Sequence, residues 1–405
     1  MRLFRVLFPL ICCFSLAATN DTALRNAFAT RQMFSLRDLV AATPYPSGFY
    51  AGEVACAFNA TNACQKEFKS VLANSANPQK VRQIHHTLAY VALREGRYQD
   101  ALQEMDRLLA VDPNDADTKD TRPIVEALSH FPDQAIEGAS KWTGHMDDGK
   151  LPLSINGKSA EYFFDTGANL SMLTESDAKM FGLQVRDVVS GATQDVNGNT
   201  APIRIGVAET VEFGGIKVRN VTFLVASNQQ QPFVEMQPGQ RGLIGLPVLR
   251  ALGSFTWTKK GAFAVDRTPV SRNLSSANLC FEDLYLITQA SFEGHRLPFV
   301  LDTGASTTDL WPRFVDAAKD LVRRSGRHEA HSVTGVGGEQ QFEAISLPKV
   351  SMELGRLSVV LQPAHILQKM SRESSQWFYG NLGLDLLGQA STVTIDFRTM
   401  TLQLR

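Results

Sequence analysis

The stretch EYFFDTGANL, residues 161–170, contains an Asp-Thr-Gly turn that follows a run of bulky apolar residues. The same turn returns in FVLDTGASTT, residues 299–308. The likeness is wider than the turn, because SINGKSAEYFFDTGA at 154–168 aligns without a gap on SFEGHRLPFVLDTGA at 291–305. One Asp-Thr-Gly can arise by chance in a chain of this length, but two in one frame within a longer match are not expected by chance. The chain therefore carries one acidic turn twice, in matching surroundings.

The correspondence continues downstream of the turns. VEFGGIKV at 211–218 matches MELGRLSV at 352–359, and LIGLPVLR at 243–250 matches NLGLDLLG at 381–388. Gly245 lies 80 residues after Asp165, and Gly383 lies 81 residues after Asp302. After Lys141 the sequence consists of short alternating apolar runs separated by Gly, Asn and Pro, which predicts strands and tight turns. We therefore predict two copies of one β-rich unit.

These residues resemble the aspartic peptidases, and each copy is most similar to a retropepsin-type unit. The resemblance rests on the apolar run into Asp-Thr-Gly-Ala and on the later apolar-apolar-Gly step, Leu243-Ile244-Gly245. The second copy departs from the pattern at Asn381, which replaces an apolar residue before Leu382-Gly383. The resemblance implies a mainly β, bilobal retropepsin/pepsin-like domain, with lobes at residues 148–270 and 275–405.

Two carboxyl groups in matching turns suit the hydrolysis of a peptide bond by water. The reaction needs a base that takes a proton from the water and an acid that protonates the carbonyl oxygen and then the leaving amine. Two carboxyl groups forced together share one proton, so that one is the acid while the other is the base. We predict that Asp165 and Asp302 form this catalytic pair in an aspartic endopeptidase that needs no metal or organic cofactor. Which of them is the acid stays open at this point.

The neighbours of the two aspartates have predicted supporting roles. The glycines lack a Cβ that would obstruct the approach of backbone amides to the carboxylates. The threonines resemble residues whose hydroxyl groups lock the two turns together, and the alternative is that each threonine satisfies only its own turn. These supporting residues are Thr166, Gly167, Ala168, Thr303, Gly304 and Ala305.

A cleft that holds an extended peptide also needs a cover that excludes water. Asn197-Gly198 and Gly337-Gly338 follow their aspartates at the distance where retropepsin-like units place flaps. Asn-Gly is a strong hairpin signal, although an ordinary surface turn has the same signature. We predict two substrate-binding flaps, one in each copy.

Residues 19–140 are predicted to be helical, because apolar residues recur there at intervals of three and four. Part of this region resembles one tetratricopeptide unit, at Leu88, Gly96, Tyr98, Ala101, Leu108 and Pro113. Such repeats need stacked neighbours to bury a core, so a single copy favours a helical hairpin packed on another part of the chain over a peptide-binding array. The region is a candidate docking surface for a protein partner, or a prosegment.

Residues 1–18 have the layout of a secretory signal peptide, with two arginines, an apolar run and then small residues. We expect an exported protein, periplasmic or secreted, with no membrane span once the leader is removed. A retained anchor or a lipoprotein signal at Cys12-Cys13 is the alternative. In an oxidising compartment a disulfide between Cys56 and Cys64 could close a small loop, and Cys280 would then have no partner.

The composition excludes some classes of partner. Lys and Arg number 40 and Asp and Glu number 41, so no net field attracts nucleic acid. The cysteines after the leader form no CxxC pair and have no nearby His cluster, so we predict no metal site. The expected partner is a peptide or protein substrate. The alternative to an endopeptidase is a catalytically silent peptide-binding or scaffold protein that combines the cleft with a tetratricopeptide-like adaptor.

Overall fold

The structure is a computed structural model that describes residues 21–194, 200–335, 338–370 and 373–405. The predicted leader, residues 1–18, lies outside the described residues, and so do the predicted flap residues Asn197, Gly198 and Gly337.

The N-terminal part of the chain is helical, which confirms the prediction from its apolar spacing. Residues 21–29 are helical and are followed by α1 (Met33–Ala42), α2 (Gly48–Ala57), α3 (Thr61–Asn74), α4 (Pro78–Arg94), α5 (Tyr98–Val111) and α6 (Ala116–Ser129). The side chain of Asn77 caps α4 by accepting a hydrogen bond from the amide of Lys80 at 3.1 Å. Gly96 has a φ of +67° just after α4, a conformation that glycine adopts without strain.

The helical region contains one disulfide bond. A disulfide joins Cys56 at the end of α2 to Cys64 in α3, whereas Cys280 is buried and unpaired. Among the described residues, no helix combines the length and the apolar character needed to cross a membrane.

The rest of the chain is mainly β, as the alternating pattern predicts. The strands as far as the middle of the β region are β1 (Ala135–Gly138), β2 (Lys141–His145), β3 (Lys150–Ile155), β4 (Lys158–Phe164), β5 (Ser171–Thr174), β6 (Gln184–Gln194), β7 (Thr200–Phe213), β8 (Ile216–Ala226), β9 (Gly242–Ile244), β10 (Ser254–Thr258) and β11 (Ala262–Asp266). The later strands are β12 (Leu279–Glu282), β13 (Tyr285–Phe292), β14 (His295–Leu301), β15 (Asp309–Leu310), β16 (Arg327–Gly335), β17 (Gly338–Leu347), β18 (Val350–Leu354), β19 (Leu357–Leu361), β20 (Ala364–Leu367), β21 (Gly380–Leu382), β22 (Thr392–Asp396) and β23 (Thr401–Leu404). Short helices between them are α7 (Glu175–Phe181), α8 (Leu246–Ala251), α9 (Phe314–Ala317), α10 (Lys319–Ser325) and α11 (Leu384–Leu387).

Two large sheets each carry one Asp-Thr-Gly turn. The first has the strand order β1-β8-β5-β9-β4-β3-β7-β6, and an additional pairing of β8 with β7 gives it a barrel-like form. The second has the order β16-β17-β20-β15-β21-β14-β13-β18-β19, with β12 on β13. In both sheets the strand before the aspartate runs parallel to a later three-residue strand, β4 with β9 and β14 with β21. Each aspartate therefore emerges at the end of a buried strand, at the same place in its sheet.

A third sheet joins the two large ones. Its order is β2-β11-β10-β22-β23, and β10 of the first half pairs antiparallel with β22 of the second. Phe164, the residue before Asp165, packs edge-to-face on Phe255 and Trp257 of β10, with ring centroids 5.5 and 5.2 Å apart. This aromatic contact fixes the first turn to the sheet that both halves share.

The β structure begins earlier along the chain than the first predicted lobe does. Residues 135–138, which the sequence pattern places in the helical region, form β1 and pair antiparallel with β8. The next strand, β2, pairs with β11 in the joining sheet. Four-residue edge strands show too little alternation to be recognised in the sequence. The segment that leaves the helices is thus hydrogen-bonded into both β layers.

Candidate active site

The two Asp-Thr-Gly turns are locked together by their threonines. The hydroxyl of Thr303 accepts from the amide of Thr166 at 3.1 Å and donates to the carbonyl of Phe164 at 2.9 Å. The hydroxyl of Thr166 mirrors this, accepting from the amide of Thr303 at 3.1 Å and donating to the carbonyl of Leu301 at 2.8 Å. Both threonines are buried, 1% and 3% exposed, so these bonds form away from water. The threonines thus bond across the interface and not only within their own turns.

Each aspartate is held by the amides that follow it. One carboxylate oxygen of Asp165 accepts from the amides of Gly167 at 2.8 Å and Ala168 at 3.1 Å. The same oxygen of Asp302 accepts from the amides of Gly304 at 2.9 Å and Ala305 at 3.1 Å. These bonds orient both carboxyl groups through the backbone of their own turns.

The glycines of the two turns admit the opposite carboxyl group. A Cβ at Gly167 would lie 2.6 Å from Cγ of Asp302, and a Cβ at Gly304 would lie 2.3 Å from Cγ of Asp165. Real Cβ atoms do not approach other atoms so closely, so any side chain here would push the two carboxyl groups apart. Close approach of the carboxyl groups is the reason for glycine at both positions.

The contact between the aspartates changes their proton affinity. Burial, together with the negative charge of Asp302 and the hydrogen bond that the protonated Asp165 carboxyl donates to it, raises the pKa of Asp165 to about 8. Two carboxyl groups that share a site cannot both ionise easily, and one of them keeps its proton. Around neutral pH the pair therefore holds one proton.

One residue makes the pair asymmetric. The side-chain amide nitrogen (Nδ2) of Asn381 donates to the second carboxylate oxygen of Asp302 at 2.8 Å. With the two backbone amides of its turn, Asp302 thus accepts three N–H bonds from its own half. The corresponding residue of the first half is Leu243, which offers no donor. The side-chain oxygen of Asn381 is buried and has no partner among the described residues. The departure at Asn381 is visible in the sequence, but its contact with an aspartate 79 residues away is not.

The aspartates lie in a cavity of about 1360 Å³. Its lining includes Leu243 and Asn381 beside the pair and several residues of the β16–β17 hairpin. Gly338, the predicted flap residue within the described chain, opens β17, has a φ of +117° and pairs with Gly335 across that hairpin. The β16–β17 hairpin, which contains Gly338, therefore forms part of the cavity wall. A cavity of this size exceeds the range of about 300–1,000 Å³ typical of small-molecule sites.

Residues of the helical region also line this cavity, which the sequence does not indicate. They are Leu93 in α4 and Thr121, Ile124, Val125 and Leu128 in α6. In the described ranges no cluster of three or more His, Cys, Asp or Glu side chains is arranged to hold a metal ion.

Comparison with known proteins bears on the first of the two turns. Residues 151–248 match a family model described as aspartyl protease, a segment that includes Asp165 and β9 but not Asp302. This part of the chain is therefore similar to the aspartyl proteases. A solved structure that the chain matches is a retropepsin-like aspartic protease from Rickettsia conorii, at 16% identity and a TM-score of 0.23. That match covers 32% of this chain and 93% of the other. No curated protein matches the chain.

Proposed function

We propose that the protein is an aspartic endopeptidase in which Asp165 and Asp302 activate one water molecule. The observation that carries the proposal is the meeting of two carboxyl groups from separate turns, each fitting against the glycine of the other turn. The similarity of residues 151–248 to aspartyl proteases supports it independently. The wide cavity around the pair suits a peptide chain.

The hydrogen bonds around the pair favour one assignment of roles. Asp302 accepts three N–H bonds, which stabilise its ionised form, whereas Asp165 accepts two and has the raised pKa. In this assignment Asp302 is the base that takes a proton from the water as its oxygen attacks the scissile carbonyl carbon. Asp165 is the acid that gives its proton to the carbonyl oxygen. The proton that Asp302 has gained then passes to the leaving amine as the C–N bond breaks, and one hydroxyl group on the tetrahedral carbon returns a proton to Asp165 as the carboxylic acid product forms.

We also propose that the two halves are copies of a retropepsin-like unit. The supporting features are the matched parallel pairings of β4 with β9 and of β14 with β21, and the reciprocal bonds of Thr166 and Thr303. In one retropepsin-like copy a single carboxyl group is available, so a second copy is needed to complete the pair. Joining both in one chain makes the pairing independent of protein concentration.

Two further proposals concern the rest of the chain. The helices α4 and α5, with Gly96 between them, occupy the predicted tetratricopeptide-like unit, and we propose that they act as a packed hairpin and not as a repeat array. We propose export on the basis of the leader sequence, and the Cys56–Cys64 disulfide favours an oxidising compartment. Fractionation of cells that express the full chain, with detection of the mature N-terminus, tests the export proposal.

Cleavage of a peptide library tests the main proposal. We expect Asp165→Asn and Asp302→Asn each to lower kcat/KM by about 10³-fold or more, since each removes one member of an acid–base pair. Asp120→Asn, an exposed aspartate on α6, is the matched control and should leave cleavage unchanged. Retained cleavage in both active-site variants would reject the pair. Peptide binding without cleavage by the unaltered protein would favour a silent scaffold.

A further inference from the structure

One wall of the cavity around the aspartates comes from outside the two halves that carry them. Ile124 and Leu128 lie one turn apart on α6 and both line the cavity. The lining also includes Leu170 and Leu224 from the first half and Leu284 from the second. Leu170 follows Asp165 by five residues, so this apolar part of the cavity begins next to the turn.

The apolar wall is supported from behind by a hydrophobic cluster of its own. Leu128 and Val125 are buried in this cluster together with Val188 of β6 and Ile205 of β7. Among the partly exposed apolar side chains that pack against the cluster, those that also line the cavity are Ile124, Leu170, Leu224 and Leu284. A set of half-exposed apolar side chains in a concave site is the arrangement that binds an apolar group by removing its surface from water.

Buried polar contacts hold the helical region against the β halves. The guanidinium of Arg94 is buried and donates to the carbonyl of Asp283 in the second half at 2.7 Å and, within the helical region, to the carbonyl of Cys56 at 3.0 Å. It also lies over the ring of Phe281, 4.3 Å from the centroid. At the start of α8, the carbonyl of Pro247 accepts a hydrogen bond from the side-chain amide of Gln134 at 3.0 Å. These contacts attach the helical region, which supplies α6 to the cavity wall, to the β halves.

We propose that α6 supplies a specificity subsite, in which Ile124 and Leu128 together with Leu170, Leu224 and Leu284 bind a large aliphatic or aromatic side chain of the substrate. The inference rests on the proposed endopeptidase function for its cleavage readout and extends that function to a substrate class. The helical region is then part of the substrate-binding machinery of the folded protein. Of the two α6 residues, Ile124 contributes more of the subsite surface, because Leu128 is almost fully buried whereas Ile124 is not.

Changing the size of residue 124 tests the subsite. Ile124→Ala enlarges it and Ile124→Trp fills it, and the full chain is profiled on a peptide library with every residue type at each position near the cleaved bond. One methylene in an apolar pocket changes selectivity by about 10-fold or more. We expect the ratio of kcat/KM for Trp- over Ala-containing peptides to rise about 10-fold or more in Ile124→Ala, at one substrate position. The ratio should fall by a similar factor in Ile124→Trp.

A matched control separates the subsite from general packing. Leu102 of α5 also packs partly exposed against the same hydrophobic cluster but does not line the cavity. Leu102→Ala should therefore leave the cleavage profile unchanged even where it lowers the melting temperature. An unchanged profile in both Ile124 variants, with cleavage intact, would overturn the subsite and leave the endopeptidase proposal standing.

A binding measurement keeps the two proposals distinguishable. In the Asp302→Asn background, affinities for the same peptides are measured with Ile124 and with each of its substitutions. If peptide affinity follows the size of residue 124 but the unaltered protein cleaves nothing, the subsite stands and the endopeptidase function fails. If neither binding nor cleavage responds to residue 124, the subsite is refuted.

Discussion

Replacing Asn381 by Leu should change the pH dependence of cleavage without weakening the fold. The substitution reproduces in the second half the residue of the first half, Leu243. It removes the N–H donor that lies 2.8 Å from the second carboxylate oxygen of Asp302. It also removes a buried amide oxygen that has no partner among the described residues. The change therefore takes away one bond to a charged group and one unsatisfied polar atom.

The size of the effect follows from the energy of that bond. A hydrogen bond to a charged group contributes about 1.5–3 kcal/mol. One pH unit corresponds to about 1.4 kcal/mol, so the pH at which the pair ionises changes by about 1–2 units. This pH moves upward, because the donor that is lost stabilises the ionised form of the pair. We expect the acidic limb of the kcat/KM profile to move to higher pH by this amount, with the largest loss of activity at acidic pH.

The assay is a kcat/KM profile of one good peptide substrate between about pH 3 and pH 9, a span that covers the ordinary carboxyl range and the raised pKa of Asp165. Thermal unfolding at neutral pH is measured alongside, and Asn381→Leu should melt no lower than the unaltered protein. The double variant Asn381→Leu with Leu243→Asn moves the donor to the side of Asp165, and we expect it to recover the acidic limb. An acidic limb that overlays that of the unaltered protein in Asn381→Leu would refute the assignment of Asp302 as base.

Three other expectations follow from single contacts. The pKa of Asp165 is raised to about 8 from an ordinary value of 3.8. Between these two pH values the folded protein keeps a proton that the unfolded chain has lost. The free energy of unfolding therefore falls as the pH rises through this range. Asp165→Asn should therefore stabilise the protein most near pH 8 and least near pH 4 in thermal unfolding; a gain independent of pH would contradict the raised pKa. Thr303→Val leaves the amide of Thr166 and the carbonyl of Phe164 unpaired, at about 1–3 kcal/mol each in denaturant unfolding, and an unchanged midpoint would show that the interlock contributes nothing. Arg94→Ala should cost about 1–3 kcal/mol for each of the two carbonyls it leaves unpaired; exposed Arg107→Ala is its control, and equal midpoints for the two variants would contradict this.

The sequence predicts those features that depend on local pattern. Asp165 and Asp302 stand in matching frames, and the alternating runs around them predict the strands that the structure shows. Helical periodicity predicts α4 and α5, because three- and four-residue spacing is a property of one helix alone. Even the departure at Asn381 is visible in the sequence as a break in a repeated step.

What the sequence leaves open depends on contacts between distant parts of the chain. The pattern of α6 shows that one of its faces is apolar, but a helix period does not say which surface covers that face. In the structure Val125 of that face is buried against β6 and β7, while Ile124 reaches the cavity. The pairing of β1 with β8 likewise joins residues 135–138 to 216–219, and four residues carry too short a pattern to show it.

The position of the helical region bears on whether it could be a prosegment. Release of a prosegment after cleavage near residues 140–150 would cut through or beside β2, which pairs with β11 along its whole length. Release would also remove Arg94 from the carbonyl of Asp283 and expose the apolar side chains that pack behind the cavity. Burial of this kind is costly to reverse, since a charged group left without its partners and a newly exposed apolar surface both lower stability. The contacts therefore favour a helical region that stays in place and shapes the cavity over one that leaves it.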